Sequence, residues 1–355
     1  MTERPPSMVD WDLAVTVGSR LAGKSPSMSP QDAAAVVAEL RAGAARSTGL
    51  VRDFTGLAAP ENTAPVVVVD RTGWVRANAD GFATVLAPVV EKMASKSTGK
   101  SGKPGNSGQS KIAHAVGSRV TGVEVGGLLG FLAGKVLGQF DPFYPPAGRL
   151  LLVAPNIVHV ERELGVAPHD FRLWVCLHEE THRVQFTAVP WLGDHLLAQM
   201  HAIADSLEPS GLLDDGFQRV IESLKDGSRG GNLIEAVSTP EQREIIDRVT
   251  GVMSLLEGHA DVVMDGVGPR VIPTVRDIRK RFNKRRQGVG VLDRTLRRVL
   301  GLDAKMAQYR DGAKFVRTIV DKAGMAEFNA IWERPENLPS KAEIGDPTAW
   351  ISRVL

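Results

Sequence analysis

Apolar positions recur at helical spacing over most of the chain, and the few β-type runs are short. Val9 to Leu21 reads as a first helix, stopped by Gly23 and Pro26. Ser29-Pro30-Gln31-Asp32 is a helix start, with a capping hydroxyl and proline at the first helical position, followed by the strong helix formers of Ala33 to Ala45. Pro65 to Val69 is a β-branched run closed by Asp70-Arg71-Thr72-Gly73, which suits a strand and turn, and Trp74 to Lys92 returns to helical period. Leu150 to Val153 is a second strand candidate, either a core strand or one that borders a cleft and pairs with an extended substrate. Asn156 is placed to cap the helix that follows, up to Gly165. Thr239-Pro240-Glu241-Gln242 carries the cap, proline and glutamine of a capping box, so a helix is expected from there to about Asp265, before Gly266. Pro335, Pro339 and Pro347 around Trp332 and Trp350 suggest a C-terminal strap over the helices. The expected class is mainly α with a small β-sheet, an α+β arrangement.

Two stretches depart from ordinary amphipathic pattern. Residues 94–111 are dominated by Gly, Ser and Lys without apolar period and read as a solvated flexible loop. Ile112 to Phe140 places Gly122, Gly126, Gly130, Gly134 and Gly138 four apart, a smooth track on which a second helix can pack closely. Glu124 and Lys135 bracket only ten residues of it, too few for a membrane span. The expected organisation is an N-terminal helical region, residues 1–92, packed on the body of the protein. A linking loop, 93–111, and a main region, 112–355, follow.

Composition changes this picture little. With 43 basic and 41 acidic residues in 355, the net charge of +2 does not indicate a general nucleic-acid binder. Arg276 to Arg286 holds seven basic residues in eleven, read as a solvated helix face, with phosphate contact as the alternative. No nucleic-acid partner and no membrane insertion are expected. Cys176 is the one cysteine, which leaves no internal disulfide, and Met1 to Pro6 lacks the pattern of a secretion signal, so a cytoplasmic location is expected.

The chemistry concentrates in one helical run, Leu173 to Phe186, opened by Pro168-His169-Asp170. It contains His178-Glu179-Glu180-Thr181-His182, the pattern His-Glu-x-x-His. Residues four apart share a helix face, so both imidazoles can bind one metal ion while Glu179 reaches a water activated by it. Chance would produce this pattern in about one such chain per hundred, by composition. Phe171, Trp174, Val175, His178 and His182 fall on the side expected to be buried, and Arg172, Glu180 and Arg183 share a polar side. Two histidines on a buried face need partners, and one zinc ion per chain supplies them.

Catalytic zinc takes three protein ligands and leaves one position open. The expected third ligand is Glu257, in Leu255-Leu256-Glu257-Gly258-His259-Ala260-Asp261 of the helix begun at Thr239. Asp261, one turn on, can accept a hydrogen bond from the outer ring nitrogen of a zinc-bound histidine. His259 is the rival ligand, giving a three-histidine site, and a plain exposed Glu with a capped His is the structural alternative. His195 and His201 sit in no ligand motif.

These residues resemble the gluzincin branch of zinc metallopeptidases. That resemblance implies His178, His182 and Glu257 as zinc ligands, Glu179 as general base and Asp261 behind the ligands. The seventy-four residues between His182 and Glu257 are more than the commonest members have. A closer resemblance rests on Val9-Asp10-Trp11-Asp12-Leu13-Ala14, Leu137-Gly138-Gln139-Phe140-Asp141-Pro142, Arg172 to Phe186, Glu257 to Asp261 and Glu336-Asn337-Leu338-Pro339. These look like a bacterial zincin-like family of hydrolases whose members are often labelled as associated with deazaflavin-coenzyme biosynthesis, although no residue here suggests flavin chemistry. It implies a zincin-like metallopeptidase fold, with an active-site helix in a helical scaffold, and a zinc metallopeptidase acting on a peptide or protein. Since gluzincins often use Tyr or His to hydrogen-bond the developing oxyanion, Tyr309 is a candidate for that role. The alternative function is a zinc-bound interaction protein without turnover. Nothing here indicates an oligomeric state.

Overall fold

A computed structural model describes residues 9–60, 64–98, 107–206, 239–287 and 302–355. It is mainly α with one three-stranded sheet, as expected. The chain forms two compact units, Met1–Ala45 with Asn62–Glu179, and Arg46–Glu61 with Glu180–Leu355. Two of the three boundaries fall inside continuous helices, α2 (Pro30–Thr55) and α6 (Pro168–Ala188).

In the first unit, α1 (Trp11–Leu21) starts at Asp10, whose carboxylate accepts from the Leu13 amide at 3.0 Å. It lies against α4 (Ser107–Ala133) along the expected glycine track. A methyl carbon on Gly122 would sit 2.6 Å from the Asp10 carbonyl oxygen, and one on Gly126 would sit 2.6 Å from that of Ala14. Only glycine permits this approach. The track ends with the helix at Ala133, so Gly138 serves elsewhere. The Gly/Ser/Lys stretch is more helical than its composition suggests. Helix α3 (Arg71–Thr98) runs into it and α4 begins at Ser107, because extending a formed helix costs far less than starting one. Residues 99–106 of that loop lie outside the described residues.

The sheet has the order β1-β3-β2, with β1 (Val66–Val69) parallel to β3 (Arg149–Val153) and β2 (Gly138–Asp141) antiparallel to it. Leu150, Leu151, Leu152 and Val153 are all buried. The reading of Leu150 to Val153 as a strand bordering a cleft is therefore corrected. Its two edges are already paired, and the edge strands of the described sheet are β1 and β2. Asn156 also has another role than the expected one. It lies inside α5 (Ala154–Leu164), and its amide donates to the Ala133 and Val136 carbonyls at 2.7 and 2.6 Å while accepting from Arg71. It satisfies the Ala133 carbonyl that the end of α4 leaves open and the Val136 carbonyl just beyond it.

The second unit is built on α8 (Pro240–Val271), which starts with the expected capping box at Thr239 and Gln242. It runs past Gly266, which does not end the helix because it makes room for the Phe54 ring. Helices α8 and α10 (Leu302–Ala323) cross so closely that a methyl carbon on Gly258 would sit 2.2 Å from the Gly312 carbonyl carbon, and one on Gly312 would sit 1.9 Å from the Ser254 carbonyl oxygen. Backbone cannot rotate aside, so Gly312→Ala is expected to destabilise by about 3 kcal/mol, at the top of the usual overpacking range. A thermal melt would show it. In the C-terminal segment the buried Trp350 donates to the Asn337 carbonyl at 2.7 Å, consistent with a strap.

Among the described residues no helix is long and apolar enough to cross a membrane. Asp226-Gly227-Ser228-Arg229-Gly230-Gly231, which reads as a loop in the sequence, lies outside them.

Candidate metal centre

Helix α6 carries the site. Between Phe171 and Gln185 every side chain is buried except Arg172, His178 and His182. Of the expected polar side of α6, Glu180 and Arg183 are buried too and Arg172 is half-buried, and each charge on it is met by an ion pair. In the first unit, the Arg172 guanidinium bridges Glu161, at 2.6 Å, and Glu39. In the second unit, Arg183 donates to Glu180 at 2.8 Å and to the Thr48 hydroxyl at 2.8 Å. Burial pushes the Glu180 carboxyl up, against the opposing pull of Arg183 and Thr48. These pairs stiffen the helix on both sides of the histidines.

Glu179 is buried, and its neighbour on β2 is Gly138. A methyl carbon at Gly138 would lie 2.6 Å from the Glu179 carboxyl carbon and 2.9 Å from one of its oxygens. The missing side chain is what lets Glu179 occupy its position. Because Glu179 can swing where backbone could not, Gly138→Ala is expected to leave fold and metal content intact while lowering turnover at least about tenfold, as misplaced catalytic groups do. Metal content and initial rate, measured on one preparation, separate these effects.

His178 and His182 are four residues apart on α6. Each offers a ring nitrogen that, with a carboxylate oxygen of Glu257, forms a group of ligand atoms all within 4.8 Å of one another. Nε2 of His182 is 3.9 Å from Oε2 of Glu257. Ligands on one tetrahedral zinc, with bonds of about 2.0–2.2 Å, lie about 3.3–3.5 Å apart, so a small inward shift suffices. Two imidazoles and a carboxylate also match the donor types zinc prefers. The residues fit the ion.

The other candidates fall as follows. His259 is wholly buried, with its Nδ1 3.0 Å from the Gln185 amide nitrogen and its ring against Phe328 and Trp332. Burial, then the neighbouring His182, pushes its imidazole down to about 3, so it is neutral. It does not join the His178, His182 and Glu257 group. Asp261 faces Arg279, whose Nη1 is 3.4 Å from its carboxylate. Tyr309 belongs to α10, but its side chain lies outside those described. The basic run forms α9 (Val275–Gln287), where Arg279 also reaches Asp265 at 2.9 Å, Arg281 pairs with Asp277, and Arg276, Lys280 and Lys284 are exposed. His195 packs edge-on against Trp191.

One residue was not expected from sequence. Gln185, wholly buried, places its side-chain oxygen 2.9 Å from Nδ1 of His182, the ring nitrogen other than the one beside Glu257. Its position three residues after His182, on the same helix face, is the only sequence signal of this role.

Two histidines four apart on one helix and a carboxylate from a later one form a His-His-Glu group that could hold a metal ion. The model of the zincin-like metallopeptidase family matches residues 9–351, and the chain belongs to that family. It is similar to a crystal structure from Chloroflexus aurantiacus described as a "putative hydrolase with a novel fold", 33% identical, with a TM-score of 0.69, over 97% of this chain and 98% of that one. No curated protein matches it. Family and neighbour support a hydrolase, and the family implies a metal, typically zinc.

Proposed function

We propose that the protein is a zinc-dependent metallopeptidase that cleaves peptide bonds with Glu179 as general base. The observation that carries this reading is the grouping of His178, His182 and Glu257 ligand atoms, with Glu179 adjacent on the same helix. When bound, zinc supplies Lewis acidity, polarising a carbonyl and lowering the pKa of water from 15.7 towards about 7. His178, His182 and Glu257 would hold the ion. Glu179 takes a proton from the attacking water and hands it to the departing amine, so one carboxylate serves as base and then acid.

An extended peptide has a natural place beside it. Strand β2 has β3 on one side only among the described residues, and its Gly138 touches Glu179. A substrate strand pairing with this edge would bring successive backbone carbonyls past the base. The geometry thus favours a peptide over a small ester or amide.

Digestion of an unbiased peptide library by the zinc-loaded protein tests the reading. Cleavage that stops on chelation and returns with added zinc is expected. Bound zinc without cleavage of any peptide would instead support the zinc-bound interaction protein.

A further inference from the structure

We propose that Gln185 and His259 form a hydrogen-bond line that holds His182 in the one tautomer able to bind the metal through Nε2, Gln185 acting directly and His259 through it. This rests on the reading of His178, His182 and Glu257 as the metal site.

The direction of the Gln185 amide follows from its surroundings. One of its terminal atoms lies 3.0 Å from the Leu256 carbonyl oxygen and 3.0 Å from His259 Nδ1. A backbone carbonyl can only accept, so the group facing it is the NH2, which has two hydrogens to give. The oxygen is then the atom turned to His182, at 2.9 Å from Nδ1. An amide oxygen also only accepts, so His182 carries its proton on Nδ1. The lone pair is left on Nε2, the nitrogen 3.9 Å from Glu257.

His259 completes the line. Receiving the second Gln185 hydrogen on Nδ1, it must hold its own proton on Nε2, a fully buried atom with no hydrogen-bond partner among the described residues. An unsatisfied buried donor is destabilising, a cost that a phenylalanine in the same Phe328 and Trp332 surroundings would avoid. The acceptor on Nδ1 is what sets histidine apart from phenylalanine here. Without it the Gln185 amide loses one of its two fixed directions. The partner of His182 is also neutral. A carboxylate there would draw the imidazole proton and add negative charge beside the ion, whereas an amide orients the ring and leaves the charge of the metal to the substrate.

The test uses full-length protein, wild type beside Gln185→Leu and His259→Phe, with zinc itself as the probe. Zinc affinity is measured by competition with a chromophoric chelator, and the tautomer of His182 is read from nitrogen-15 spectra of zinc-free protein. Wild type should show His182 protonated on Nδ1 alone. Gln185→Leu should give mixed tautomers and about 10- to 100-fold weaker zinc binding, the usual loss when a group orienting a ligand is removed. His259→Phe should give a smaller loss of the same kind. Unchanged affinity in Gln185→Leu, with zinc bound by wild type, would overturn the line alone, while unchanged behaviour in His259→Phe would overturn the part given to His259. Failure of wild type to bind zinc would overturn the metal-site reading and the line with it. Should a variant not fold, the wild-type spectrum still decides, because His182 protonated on Nε2 contradicts the line.

Discussion

Glu179→Gln leaves one zinc per chain and lowers kcat/KM for a cleaved peptide by about 10²- to 10⁴-fold, the range that general acid–base groups supply. Glutamine keeps the shape that fits against Gly138, so the site is not repacked. It cannot take the proton from water, and the chemistry stops while binding persists. The discriminating pattern is a fall in kcat with zinc content unchanged. Turnover retained in this variant would exclude Glu179 as the base. Gly138→Ala should imitate it more weakly, since the carboxylate is then present but displaced.

Glu257→Ala acts on the other half of the site. Groups that merely orient metal ligands are worth about 10- to 100-fold in affinity, so loss of a ligand should weaken zinc by more than about 100-fold. His259→Phe, two residues along the same helix, keeps zinc with a modest loss, because His259 is wholly buried and joined to Gln185 rather than to the ligand group. The pair of variants separates the two third-ligand assignments. Strong zinc loss in His259→Phe with normal binding in Glu257→Ala would favour a three-histidine site. Chelator competition reads both, and far-UV circular dichroism confirms that each variant is folded.

Much of this site was legible because helical spacing converts sequence directly into geometry. His178 and His182 had to share a face of α6 once that stretch was helical, and the capping box at Thr239 announced the helix that carries Glu257. Long-range partners were not legible. Arg172, Glu180 and Arg183 read as a polar side, but Arg172 is met by Glu39 and Glu161, while Arg183 pairs with Glu180 and donates to Thr48, and neither Glu39 nor Thr48 has a periodicity that links it to α6. Strand order was equally hidden. The pattern of Leu150 to Val153 reveals burial but not that β1 and β2 flank it on both sides. Gly138 looked like the fifth member of a helix track, and only the end of α4 at Ala133 frees it to face Glu179. Gly266 misled in the same way, since a glycine that ends a helix and one that admits a ring are alike in sequence.

We propose that His178, His182 and Glu257 together hold one zinc ion. Metal analysis by inductively coupled plasma mass spectrometry, on wild type and His178→Ala purified and zinc-loaded side by side, tests it most directly. One zinc per wild-type chain and none retained by His178→Ala after gel filtration is the predicted result. Zinc-free wild type, or equal zinc in both proteins, would contradict it.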